Sequence, residues 1–493
     1  MPSTLYLFAG VTMHRVVGAS LIAVGVLAAC TEQPSAPSNS SASSNRLTPS
    51  FALVSAGSST ATGRHIVAFS GNAPADFQNR VESLGGTVLW VSSGSGLATV
   101  SGLSSSAATT LAGTSGIQEV DEDEAMTLDI PAMTDAEAAD GAGVTSNANP
   151  TLAFRYPRQW NMRAVQANVA WAHGFLGSPN VKIFMLDTGI DYGYPDLVGR
   201  VDLGLSAELL GTFSVGGVPF TEADTVAKYF PTRQPFTDLH FHGTHTAATV
   251  SSNALAAAGV TSRTTLVAVK VCDFFGSCPF SSILNGVIYA ANNGADVVNM
   301  SLGGGFVKAG NGRLVSLINK TFNYARSNGV TIVVSAGNAA ADLDHNGNVY
   351  STFCNTPAVI CVSATGPTAQ ASVNGPWTNI DAPATYTNFG RSAIDVAAPG
   401  GNHTSFVWAG CSTTSLVFTV CQTGIFVLGA QGTSMAAPHV SGTAALLVPI
   451  LGRNPGKIRA RIRQSADGVA GPGTSPFYGE GRVNVARAVG AIP

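Results

Sequence analysis

From residue 151 onward the chain alternates short, nearly continuous apolar runs with amphipathic stretches, and few architectures satisfy that alternation. The apolar runs fall at 181–186, 265–271, 296–301, 331–336 and 359–364. Between them, Ser281 to Asn293 carries Ile283, Leu284, Val287, Ile288 and Ala291 at helical spacing. Arg313 to Asn328 repeats the pattern with Leu314, Leu317, Ile318, Phe322 and Ala325. A strand that is apolar on both faces must be covered on both faces. Such strands, joined by amphipathic helices, predict an α/β fold: a parallel sheet with helices on each side. Reactive side chains in such sheets gather at the carboxyl ends of strands.

Three segments offer reactive side chains at the ends of such elements. Asp187 closes the run Val181-Lys182-Ile183-Phe184-Met185-Leu186. His242 opens His242-Gly243-Thr244-His245 and a helical pattern that continues to Val250. Ser434 lies in Gly432-Thr433-Ser434-Met435-Ala436-Ala437-Pro438-His439, where a run reading as a helix to Leu447 begins. A serine hydroxyl is a poor nucleophile until a positioned base takes its proton. A histidine supplies the base, and a carboxylate holds its tautomer and stabilises the imidazolium. A hydroxyl in the first turn of a helix also lies near the positive end of the helix dipole, with its own N–H free for an oxyanion.

Ser434 alone would read as a helix cap; with Asp187 and His242 upstream it reads as a nucleophile. The order Asp, His, Ser excludes the hydrolases whose acid and histidine follow the nucleophile, and Ala436 breaks their Gly-x-Ser-x-Gly signature. A catalytically inert binding protein would not need all three groups. His240, His242 and His245 raise a metal site, but the zinc-protease motif needs Glu directly after its first His, where Gly243 stands. His245 and His439 read as structural polar groups.

Charged residues make up 11% of the chain, the net charge is −3, and no basic stretch is long enough to track a phosphate backbone, which excludes nucleic acid as a partner. No apolar run reaches the ~18 residues of a membrane-spanning helix. At the N-terminus, His14-Arg15 precede an apolar segment from Val16 to Ala29 that closes on Leu27-Ala28-Ala29-Cys30, so residues 1–30 read as a secretory signal, more compact if counted from Met13 than from Met1. Residues 31–61 are rich in Ser, Ala, Thr and Pro without periodicity and read as a tether.

Residues 62–128 change character. Strand-like Arg64 to Phe69, Thr87 to Val91, Leu97 to Val100 and Ile117 to Val120 are interleaved with helical patterns at Pro74 to Leu84 and Ser104 to Ala112. The order β-α-β-β-α-β is that of a small α+β, ferredoxin-like domain. Residues 129–150, with Pro, Gly, Asn and acids, read as a linker and processing region, and 151–493 as the main domain.

Of seven cysteines, Cys30 stands apart; the other six fall close together as Cys272 with Cys278, Cys354 with Cys361, and Cys411 with Cys421. Sequence alone leaves many connectivities open, and three local bridges are the simplest. A secretory signal places them in an oxidising compartment.

The three reactive blocks in this order, with Asp296-Val297-Val298-Asn299-Met300-Ser301-Leu302-Gly303-Gly304 and Ala397-Ala398-Pro399-Gly400, resemble the subtilisin-like serine proteases (subtilases). The resemblance implies that Asp187, His242 and Ser434 form a triad that hydrolyses proteins or peptides through an acyl-enzyme. It makes Asn338, in Ser335-Ala336-Gly337-Asn338, a side-chain oxyanion donor alongside the Ser434 N–H. It makes Ser301, Leu302 and Gly303 the segment that takes substrate backbone as an added strand. The 62–128 domain is similar to the family's propeptide, a chaperone and inhibitor of its own enzyme. Leu27-Ala28-Ala29-Cys30 resembles a bacterial lipoprotein box, which implies a lipid on the Cys30 thiol and membrane contact through that anchor on the precursor only.

A secreted, self-processing, monomeric enzyme is expected. The chemistry requires no cofactor, but structural calcium is raised twice. Asp196, in Tyr194-Pro195-Asp196-Leu197, matches a family calcium ligand, although the companion loop 251–261 lacks the usual Asn-rich pattern. Asp342 and Asp344, in Asp342-Leu343-Asp344-His345-Asn346-Gly347, place oxygens at alternate positions, without the Glu of a full calcium loop; a solvated polar loop is the other reading. Tyr194, Thr246 and Ala248 depart from the family's residues, and insertions at 205–237 and 401–428 border the expected cleft.

Overall fold

The computed structural model describes residues 60–129, 136–139, 146–215, 218–471 and 473–493. Cys30, the signal segment, nearly all of the tether and parts of the linker lie outside them. The first described elements are β1 (Thr60–Phe69), α1 (Phe77–Ser83), β2 (Thr87–Ser92), β3 (Leu97–Ser101), α2 (Ser105–Ala112) and β4 (Ile117–Thr127). Their strands run antiparallel in the order β4-β1-β3-β2. Because side chains alternate along a strand, β1 serves two cores. Val67 and Phe69 pack with Phe77, Val81 and Leu111, whereas Ile66 and Ala68 face the core of the following domain. The Ser104 hydroxyl accepts the Ala107 N–H at 3.2 Å and starts α2.

Next come β5 (Lys182–Asp187), β6 (Ala207–Glu208), α3 (His242–Val250), β7 (Thr265–Lys270), β8 (Ser277–Pro279) and α4 (Phe280–Asn292). They are followed by β9 (Val297–Met300), β10 (Gly304–Val307), α5 (Gly312–Ser327), β11 (Thr331–Ser335), β12 (Val349–Thr352), β13 (Val359–Thr365), β14 (Val396–Pro399), α6 (Thr433–Leu451) and α7 (Pro455–Gln464). Seven of these strands form one parallel sheet, ordered β14-β13-β11-β9-β5-β7-β6. The middles of its strands are mostly apolar because both faces are covered. Ile183 and Met185 point to the side of α3 and α6, and Phe184 and Leu186 to the side of α4 and α5. The chain builds outward from β5 first toward β7 and β6, then toward β9. That reversal opens a crevice at the carboxyl ends of β5 and β9.

Two elements run further than their patterns foretell. α6 extends to Leu451 and, alone among the described residues, has the length and apolarity of a membrane span. It lies in the core, with Thr433 to Val448 buried; Ser, Thr, His and Pro break up its apolar run and hide its length. β4 continues past Val120 to Thr127 because β1 pairs with it as far as Ala125 and β8 pairs with its end, Ser277 opposite Thr127, Cys278 opposite Met126 and Pro279 opposite Ala125.

The two sheets are joined by more than backbone. Asp123 of β4 accepts the Ser281 N–H at 2.8 Å and its hydroxyl at 2.6 Å, so a carboxylate from one sheet sits at the N-terminus of α4 beneath the other. Arg64 of β1 donates to the Leu210 and Thr212 carbonyls, which places the 205–237 insertion against the small sheet. The cysteines form Cys272–Cys278, Cys354–Cys361 and Cys411–Cys421 bridges, each closing a short loop and contributing about 2 kcal/mol.

Candidate active site

β5 ends on Asp187, which is fully buried. Its Oδ1 accepts the Thr188 N–H at 2.7 Å and lies 2.7 Å from His242 Nδ1, while Oδ2 accepts the Thr246 hydroxyl at 3.1 Å. Thr246, one of the departures from the family's residues, thus holds the carboxylate. With Nδ1 donating to Asp187, the neutral His242 ring is left with Nε2 as its acceptor; that nitrogen is buried and has no hydrogen-bond partner among the described residues. His242 is the first residue of α3, where the backbone comes very close to β5: a Cβ at Gly243 would sit 2.0 Å from the Gly189 carbonyl oxygen. Asp238 ties this turn down. Its carboxylate accepts from Thr188 Oγ1 at 2.9 Å, Thr244 N at 2.8 Å and Thr244 Oγ1 at 2.6 Å, and burial raises its pKa.

Ser434 is the second residue of α6, which packs against α3. Its hydroxyl donates to the Ser301 carbonyl at 3.0 Å rather than to His242. Pro438, four residues on, has no N–H, so the Ser434 carbonyl lacks its helical donor. The Ser301 hydroxyl fills that place at 2.8 Å. Ser301 thus grips Ser434 from both sides, through its carbonyl and its hydroxyl.

Asn338 follows β11. Its Oδ1 accepts the Thr433 N–H at 2.8 Å and hydroxyl at 2.9 Å, which turns its amide nitrogen outward, where Nδ2 donates to the Asp129 carbonyl at 2.6 Å. Leu302 is buried, and a Cβ at Gly303 would meet the Thr352 carbonyl at 2.9 Å. Beside the cleft, pairing with the end of β4 comes from β8 and from Gly276, whose carbonyl accepts the Leu128 N–H at 2.8 Å.

Thr433, Asp238 and the β8 edge carry no signature in a single sequence. A further case is Lys270, fully buried in register with Asp187. It donates to the Thr188 carbonyl at 2.7 Å and the Thr237 carbonyl at 3.0 Å, and lies 2.6 Å from Glu222 of the first insertion. Burial lifts the Glu222 carboxyl to about 6, with Lys270 pulling it back.

The three histidines do not converge on a metal: His242 Nδ1 is held by Asp187, and His245 Nε2 donates to the Val407 and Leu428 carbonyls, both at 3.1 Å. His439 Nδ1 donates to the Met435 carbonyl at 2.9 Å and Nε2 accepts from Asn161 at 2.9 Å. Burial lowers His245 and His439 to about 4, so both are neutral struts.

The calcium expectations do not fit the geometry. Asp196 Oδ1 accepts the N–H groups of Leu255 at 2.6 Å and Ala256 at 3.0 Å, and Oδ2 that of Ala257 at 2.9 Å. Donors surround it where a cation would need acceptors, because the loop after α3 turns its amides inward. Asp342 accepts the Asp344 N–H at 3.0 Å and pairs with His345 at 2.9 Å, while Asp344 turns away to the Ser392 N–H and hydroxyl. The two carboxylates cap separate turns.

A sequence profile of the Subtilase family matches residues 178–481, a span that includes Asp187, His242, Asn338 and Ser434. The chain belongs to the subtilase family. Thermitase from Thermoactinomyces vulgaris is 31% identical over 335 residues, 67% of this subtilase and 96% of thermitase. Subtilisin from Bacillus pumilus is 30% identical over 333 residues, 67% of this chain and 98% of that protein. Among solved structures, the epidermin leader peptide processing serine protease of Staphylococcus aureus superposes with a TM-score of 0.63 at 21% identity, covering 86% of this chain and 97% of that one, a likeness of fold. This subtilase is a serine endopeptidase.

Proposed function

We propose that this subtilase hydrolyses peptide bonds through Asp187, His242 and Ser434, and that it is made as a secreted precursor which processes itself. The observation that carries the reading is His242: its Nδ1 is fixed by Asp187 at 2.7 Å and its Nε2 is buried without a hydrogen-bond partner among the described residues. Nε2 is the base that takes the Ser434 proton as Oγ bonds to the substrate carbonyl carbon. The oxyanion lies on the Asn338 amide and the Ser434 N–H. His242 then returns the proton to the departing amine, and water opens the acyl-enzyme by the reverse path. No metal or organic cofactor enters these steps.

Residues 62–128 act as propeptide and inhibitor. The β4–β8 ladder and the Asp123–Ser281 contact support that role, since both would persist after the chain is cut. Residues 1–30 direct export, where the three bridges are stable. Cys30 carries lipid on the precursor only, so that cutting the linker frees a monomeric enzyme from the membrane.

Ser434→Ala should leave the precursor uncut and casein undigested, and a serine-directed fluorophosphonate should abolish wild-type activity. Maturation of the purified alanine variant by itself would rule out self-processing. A radioactive fatty acid should mark the precursor and not the mature band; a labelled mature band would contradict release.

A further inference from the structure

The four residues that lead into His242 give their carbonyls to two different structures. That of Phe241 accepts the His245 N–H at 3.0 Å and starts α3. Those of Asp238, Leu239 and His240 all accept from one loop of the second insertion, residues 411–421. The Ser412 and Thr414 hydroxyls donate to the Asp238 carbonyl at 2.6 and 2.8 Å. The Leu416 N–H donates to the Leu239 carbonyl at 2.7 Å, and the Ser415 hydroxyl to the His240 carbonyl. Phe418 meets the Phe241 ring edge-on at 5.2 Å. Asp238, Leu239, Phe241, Ser412 and Ser415 are fully buried, so a carbonyl that loses its donor here is left unmet or drags the turn out of place.

The loop is itself fixed. The Cys411–Cys421 bridge closes its base, and the Cys411 N–H donates to the Phe426 carbonyl at 3.1 Å. The Thr413 N–H donates at 2.7 Å to the fully buried carboxylate of Asp191, four residues after Asp187. The strands that carry the loop, Val407–Gly410 and Phe426–Ala430, pair antiparallel, and the second leads through Gln431 and Gly432 into α6. One loop thus touches the segment after the carboxylate and the turn before the imidazole, and is continuous in sequence with the helix that presents the hydroxyl.

We propose that residues 411–421 are a positioning loop for His242. The hydroxyls of Ser412, Thr414 and Ser415 hold the turn that sets where the imidazole stands relative to Ser434, and the Cys411–Cys421 bridge holds those hydroxyls in place. The proposal rests on the triad reading above. These side chains act through the backbone of residues 238–240 and not on the substrate. Asp187 pins Nδ1, so a shift of the turn tilts the ring about that bond and carries Nε2 away from the hydroxyl. A misplacement of about 1 Å in such a group costs about 10²-fold in rate.

Each variant is made as the full chain, and after maturation it is treated with a fluorophosphonate. The rate constant for labelling Ser434 reports the base, whereas the amount labelled reports how much protein is folded. Ser415→Ala should label about 10- to 100-fold more slowly, with kcat on a peptide lowered in proportion and KM little changed. Thr414→Val keeps the shape and removes the hydroxyl; it should slow labelling, and Thr414→Ser should restore the wild-type rate. The double variant Cys411→Ser, Cys421→Ser should combine slow labelling with a lower unfolding midpoint. Where Ser415→Ala or the double variant fails to fold, the two Thr414 variants decide. A loop that serves stability alone would lower the labelled amount and leave the rate constant unchanged; that result, or a loss confined to KM, overturns the proposal. If the wild type is labelled and the variants match it, the triad reading stands and the loop's role is gone; a wild type that is not labelled at Ser434 removes both.

Discussion

Asn338 is oriented by its neighbour rather than by its own backbone, which makes it separable from the rest of the site. Asn338→Ala removes one of the two proposed oxyanion donors and leaves the His242–Asp187 pair intact. Turnover should fall about 10²- to 10³-fold with KM little changed, measured on a peptide substrate with mature enzyme. A loss shared equally with KM would mean that Asn338 binds the ground state. Among the histidines, His439 gives a test with a defined sign. Its folded pKa is lowered from 6.5 to about 4 by burial. Its stabilising share is full above pH 6.5 and is lost as pH falls toward 4, because the unfolded chain takes a proton that the folded one refuses. In a Ser434→Ala background, His439→Gln should flatten the fall in stability over that window by up to about 3 kcal/mol; parallel curves for the two proteins would contradict it.

Within α6, Pro438 is a device of the element. The proline removes a helical N–H, and the Ser301 hydroxyl takes the carbonyl thus released. Pro438→Ala restores the N–H, which competes with Ser301 for the Ser434 carbonyl. The expected result is a severalfold lower kcat with unfolding stability unchanged or higher; unchanged kcat would show that the Ser301 grip does not matter. At this scale the sequence was legible wherever one period dominated. The doubly apolar strands and the Ser281 and Arg313 helical patterns all formed. The reading fell short where pairing decides: β4 runs on to Thr127 because β1 pairs it to Ala125 and β8 pairs its last three residues, and acidic residues from Asp121 to Glu124 gave no apolar alternation to announce a strand. β6 is two residues long and exists only as an edge on β7.

Across the molecule, the first insertion proves to be partly core. Glu222 reaches Lys270 beneath Asp187, and the pair is fully buried. Glu222→Gln removes the carboxylate paired with that ammonium at 2.6 Å and should cost about 3 kcal/mol, read by denaturant unfolding in the Ser434→Ala background. A change under about 1 kcal/mol, the size of a surface pair, would mean water enters.

What the sequence alone determined was local and chemical. Alternating apolar runs required a doubly covered parallel sheet, and a hydroxyl, an imidazole and a carboxylate at element ends are the groups from which the triad is proposed. Only the tertiary structure decided that Thr246 braces Asp187, that Thr433 aims Asn338, that Glu222 neutralises Lys270, and that the Asp196 carboxylate is filled by amide hydrogens. Side-chain periodicity records which face of an element is covered. Partners brought together from distant parts of the chain leave no such periodic record, because their match is made by the packing of elements already formed.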